Sequence, residues 1–137
     1  MGRRAFLLFA IAVLLGGVAA FAVSRKSNDN TLIPGAKAAE TSLASSICQF
    51  SALVADGKLA DAKNVFWDEV HFPAHIVAAD LQTVDRAQAT TFYVTKGAVE
   101  RDLALLAPSL KTDVPPFVAA VQAALVRLAV PGATGTC

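Results

Sequence analysis

Residues 59–84 read LADAKNVFWDEVHFPAHIVAADLQTV. Whether Pro73 ends a helix here or sits inside one decides the fold. Leu59, Ala62, Phe66, Val70, Pro73, Val77, Leu81 and Val84 recur at helical spacing, so one apolar face runs through the proline. Proline removes the hydrogen bond to the carbonyl four residues back, here Glu69, and its ring crowds that turn. The unbroken face predicts one long helix kinked over Glu69–Pro73. The alternative is two shorter helices, with Pro73 opening the second.

The same periodicity places helices on either side. Leu43, Ile47, Phe50 and Val54 mark a first helix over about 42–56, capped by Thr41 or Ser42 and closed by a left-handed turn at Gly57. Phe92, Val99, Leu103 and Leu106 mark a third over about 85–107, capped by Asp85 and followed by Pro108. Val114, Phe117, Val121, Leu125 and Leu128 mark a fourth, with Asp113 as N-cap and Pro115 and Pro116 in its first turn. Four amphipathic helices joined by short loops predict an all-α, up-down four-helix bundle.

Ahead of the bundle, residues 5–23 read AFLLFAIAVLLGGVAAFAV and carry no charge. As a helix this run spans roughly 28 Å, close to the ~30 Å hydrocarbon core of a bilayer. Residues 1–23 are therefore expected to be an N-terminal transmembrane anchor or a signal sequence. Ala20-Phe21-Ala22 offers a cleavage site, but the run is longer than a usual signal core and favours the anchor. Arg3 and Arg4 on one side and Arg25 and Lys26 on the other leave a slight bias toward N-in. The chain is thus expected in a bacterial-type cytoplasmic membrane, with its C-terminal domain exported to the periplasm or cell exterior. Residues 24–40, SRKSNDNTLIPGAKAAE, read as a flexible polar linker, and 41–137 as the exported domain.

The stretch Arg3-Arg4-Ala5-Phe6-Leu7 resembles the twin-arginine export signal, in which two arginines, any residue and Phe-Leu follow one another. Gly2 stands where a polar residue is usual and Leu8 where a lysine is usual. The resemblance covers five residues. It implies export of an already folded domain, in some cases with a cofactor loaded in the cytoplasm.

The chain has two cysteines, Cys48 and Cys137, and neither CxxC nor CxxCH, which excludes a cysteine zinc ribbon and covalent haem. In an up-down bundle the end of the fourth helix lies beside the first, so a Cys48–Cys137 disulfide is expected outside the cytoplasm. From residue 41 onward seven Lys/Arg face nine Asp/Glu, a net charge of −2 with no basic stripe. That excludes a nucleic-acid-binding surface.

Chemistry concentrates in one place. His71 and His75, the only histidines, are four apart and share one helix face. Such a pair is half of a transition-metal site and can also hold haem b. Glu69 nearby and Glu100 from the third helix are the candidate further ligands. Met1 is the only methionine, which excludes a methionine-rich copper(I) site. Trp67 and Phe72 lie off the apolar stripe and are candidate contacts for a protein partner. The sequence shows no nucleophile elbow and no phosphate-binding glycine loop, so no enzyme is expected. The expected function is a membrane-anchored helical binding or accessory module, such as a small subunit of a membrane complex. The alternative is a metal- or haem-binding protein using His71 and His75.

Overall fold

The computed structural model describes residues 36–131, 133 and 137. These residues are all-helical, with α1 (Ala36–Ala55), α2 (Leu59–Val65), a π-helical turn (Phe66–Val70), α3 (His71–Val84), α4 (Arg86–Leu105) and α5 (Leu110–Arg127). The segment α2–π turn–α3 runs without a gap, giving four helical rods. Among the described residues there is no strand and no helix long and apolar enough to cross a membrane. The apolar run 5–23 and the first part of the linker lie outside the described residues.

Each rod packs on its chain neighbours, and α5 closes the ring against α1. In addition, α3 reaches α5 across the middle. The core holds one phenylalanine from each rod: Phe50, Phe66, Phe92 and Phe117, all fully buried. Ring centroids lie 5.3 Å apart for Phe50–Phe66, 6.2 Å for Phe66–Phe117 and 5.8 Å for Phe92–Phe117. Tilted and edge-on pairs at these spacings add to the apolar area that each ring buries. Leu43, Ile47, Val77, Leu81, Val99, Leu103, Val121 and Leu125 fill the layers around them.

The second rod resolves the question of Pro73. The irregularity falls on the turn just before the proline, where the His71 N–H bonds the Phe66 carbonyl, five residues back. Ala62, Phe66, Val70 and Ala74 are all buried and are spaced by four. Four residues of α-helix overshoot a full turn by about 40°. Three such steps would carry the apolar face off the core, and a wider turn takes up the overshoot. The Glu69 carbonyl, which receives no proton from Pro73, lies 3.2 Å from the Ser46 hydroxyl of α1. That hydroxyl also lies 3.0 Å from the Ser42 carbonyl, so its one proton serves two acceptors. A neighbouring rod thus supplies the donor that the proline lacks.

Helix ends differ from the sequence reading in three places. α1 is already helical at Ala36, ahead of Thr41 and Ser42: AKAAE is made of strong helix formers and buries Ala36, Ala39 and Glu40. Thr41 is therefore not a cap; its hydroxyl donates to the Lys37 carbonyl at 2.9 Å. α5 begins at Leu110, one turn before the expected cap. Asp113 sits in its first turn and accepts from Arg101 at 3.3 Å, while Pro115 and Pro116 fall inside the helix with their rings exposed. Leu106 is not on the buried stripe; it is exposed and ends α4 in the left-handed region at φ 49°. The Ala107 N–H then reaches the Asp102 carbonyl at 2.9 Å. The side chain of Asp102 is buried there, and a hydrogen bond from Ser109, then one from Arg101, hold its carboxyl below the usual range.

Other expectations match. Gly57 has φ 76°, and the bonds Gly57 N–H to Val54 and Lys58 N–H to Leu53 close α1 as a left-handed cap. Asp85 caps α4, accepting from the Gln88 N–H at 3.0 Å. Cys48 and Cys137 form a disulfide, with Cα atoms 5.0 Å apart.

Candidate metal centre

The π turn and the first turn of α3 carry a strip of three rings. Trp67 packs on His71 with centroids 4.7 Å apart, and His71 packs edge-on to His75, also at 4.7 Å. Phe66, rooted in the core, closes the inner side at 6.0 Å from His71. The strip therefore rests on packed aromatic surface and is held at its base.

α4 faces this strip with two residues one turn apart, Lys96 and Glu100. Glu100 Oε1 lies 2.8 Å from His71 Nδ1. The approach is off the line of the ring N–H, and Nδ1, itself shielded from solvent, makes no aligned hydrogen bond. Lys96 Nζ lies 3.0 Å from His75 Nε2 and forms a close ion pair with Glu100. An ammonium can only donate, so His75 Nε2 accepts and carries no proton in this arrangement. Partial desolvation of the ring, followed by the charge of Lys96, pushes the His75 pKa down, with Glu100 acting in the opposite sense.

Donor atoms of His71, His75 and Glu100 all lie within 4.8 Å of one another. Zinc–nitrogen and zinc–oxygen bonds of about 2.0–2.2 Å place the donors of a tetrahedral ion about 3.4 Å apart. The widest pair must therefore close by no more than about 1.4 Å around an ion. His75 is exposed and His71 and Glu100 are half-buried, which leaves room for ring and carboxylate rotation and for a water as fourth ligand. Two imidazoles and one carboxylate suit zinc and its divalent neighbours in the first transition row.

Of the residues singled out in the sequence, the fold thus gathers His71, His75 and Glu100. Glu69 is not among them. Its side chain is exposed on the π turn, one residue before buried Val70, and only its carbonyl faces another rod. Trp67 is 39% exposed and borders the cluster through its contact with His71, while Phe72, 69% exposed, is open to solvent elsewhere on the same rod. Lys96 is the participant that sequence reasoning missed. It is 2% exposed, and its position falls in the stripe Phe92–Lys96–Val99–Leu103, spaced four, three and four. A lysine at a core register four residues before a glutamate was the available signal.

No protein-family model, curated protein or solved structure matches the chain.

Proposed function

We propose that the chain is a membrane-anchored, extracytoplasmic helical binding module whose ligand is a divalent transition metal held by His71, His75 and Glu100. The observation that carries this reading is the convergence of three donors from two rods, when the sequence contains only two histidines. The membrane anchor at residues 5–23 and the export of the bundle belong to the same proposal. They rest on the length of the uncharged run and on the basic residues before it. The disulfide is compatible with an oxidising compartment.

The test uses the full chain in detergent, purified with its disulfide intact. Metal content is measured first, and zinc, cobalt(II), copper(II) and haem b are then titrated separately. One equivalent of a divalent ion, with cobalt(II) giving the intense visible bands of a low-coordinate site, is expected. Both signals should vanish in His71→Ala/His75→Ala. A chain that takes up none of the ions sinks the reading, and a Soret band without metal uptake replaces it with haem binding.

A second reading has its own observation. Trp67 and Phe72 are large apolar side chains left open on one rod, as a protein-contact surface would be. In that reading the chain is an accessory subunit of a membrane complex, and Phe72→Ala, at a side chain 69% exposed, would weaken binding to its partner while leaving ion uptake unchanged.

A further inference from the structure

The donor set already holds a cation. Lys96 Nζ lies against two of the three donor groups, at 3.0 Å from His75 Nε2 and in a close ion pair with Glu100. Its side chain is almost wholly buried in a register that the rest of α4 fills with Phe92, Val99 and Leu103. Salt bridges on open surfaces are common and weak, but a buried ammonium without matched acceptors is strongly destabilising. Lys96 finds them only at the atoms that a metal would use.

We propose, building on the metal-site reading, that Lys96 is the resident cation of this centre, and that a divalent ion enters by displacing its ammonium from Glu100 and His75. The argument is one of space and charge. An ion bonded to Glu100 and His75 at about 2 Å occupies the volume where the ammonium now sits. Left in place, the ammonium would add a third positive charge within a few ångströms of a divalent one, against a single carboxylate. The exchange balances simply: Glu100 trades one cation for another, His75 trades an ammonium donor for a metal bond, and Lys96 leaves still protonated. The way out is short. Nζ adjoins His75, which is exposed, and the flexible four-carbon stem lets the charged end turn toward water while the stem keeps part of its packing.

This exchange sets both affinity and signal. Affinity is reduced by the work of expelling a satisfied buried charge, so the native centre releases its ion more readily than the same donors would without Lys96. It also couples occupancy to surface charge: the filled centre presents an extra ammonium on the α3–α4 side, next to His75.

Two measurements on the full chain in detergent test the proposal. The first is zinc affinity, by competition with a chromophoric chelator, for the native chain and for Lys96→Met, with circular dichroism to confirm that the variant is folded. Lys96→Met should bind zinc at least tenfold more tightly. The second needs no variant. Lysines of the native chain are acetylated with and without saturating zinc and quantified by mass spectrometry, with exposed Lys58 and Lys111 as internal references. Acetylation of Lys96 should be slow without zinc and rise at least fivefold with it.

If the native chain binds zinc through His71 and His75 but Lys96→Met binds no more tightly, the displacement idea falls and the metal centre stands. A Lys96 that stays protected while zinc is bound overturns the displacement, whatever the variant's affinity. If only Lys96→Met binds zinc, the ammonium blocks the centre instead of yielding to an ion, and both the displacement and the reading of the native chain as a metal protein fall. If neither binds, both readings fall.

Discussion

Two seams on opposite sides of the bundle are closed by different chemistry. Where α5 meets α1, the contact is apolar, built from Ile47, Val121 and Leu125 among others, and a disulfide ties Cys48 to Cys137. Where α3 meets α4, the rim is polar: two imidazoles, a carboxylate and a buried ammonium. The first seam removes unfolded conformations and buries carbon. The second spends core positions on charges that satisfy one another and contribute little net stability. A small bundle tolerates such an arrangement when one side holds the fold and the other is left to exchange partners.

The sharpest way to break this contrast is to unbolt the apolar seam. Cys48→Ser/Cys137→Ser removes a crosslink spanning 89 positions, for which chain-entropy reasoning gives a loss of about 4–5 kcal/mol. Urea unfolding should show that loss, while zinc affinity, measured below the unfolding transition, stays within about twofold.

Single truncations sharpen it further. Ile47→Ala, at a residue 1% exposed, should cost about 3 kcal/mol. His71→Ala, across the bundle, should cost under about 1 kcal/mol, because the Lys96–Glu100 pair survives it. Equal costs at the two sites would show that the polar seam carries as much of the fold as the apolar one.

The smallest effect is one of pH. The folded state holds the His75 pKa below its ordinary value of 6.5, so the unfolded chain takes up that proton first. Its contribution to stability is whole above pH 6.5 and declines as pH falls through that value toward the folded pKa. Glu40 and Asp80, both buried, have carboxyls raised by burial, Glu40 also by the charge of Asp80. Their contribution has the opposite sign: it grows as pH falls through their raised folded pKa toward the ordinary carboxylate range. Melting temperatures between pH 7.5 and 5.5 should therefore fall slightly in the native chain and stay flat in His75→Gln. A slope that persists in the variant would move the titrating group elsewhere.

Much of this contrast was legible in the residues. The stripes of the four rods, apart from Val84 and Leu106 at helix ends, which are exposed, Gly57 as a left-handed cap, Asp85 as an N-cap and the cysteine pairing follow from spacing and from the geometry of short loops. So does the meeting of His71 and His75 with Glu100, because residues four apart on one helix face a neighbour together. What spacing could not convey was the compensation made between rods. Ser46 donating toward the Glu69 carbonyl depends on which rod lies beside the proline, and no local rule states that. Lys96 was passed over for a related reason: lysine is usually a surface residue, and although its core register and the glutamate four residues on were legible, its contact with His75 across the seam was not. Glu69 stays outside the cluster, with its side chain exposed on the wide turn, and spacing alone did not separate it from Glu100. The early starts of α1 and α5 were missed because helix-forming residues and tertiary contacts outweighed the nearest capping residue.

The wide turn at Phe66–Val70 also changes how the chain tolerates a change of length. In an ordinary helix, removing one residue swings everything after it by about 100° around the axis. Here one residue is already in surplus, so a deletion within the turn can be absorbed by tightening it to α-helical pitch. His71 and His75 would keep facing α4. The same deletion a few residues later, between the histidines, has no slack to draw on and would rotate one imidazole out of the cluster. The geometry of the centre is thus guarded by a joint whose residues are not themselves among the proposed ligands.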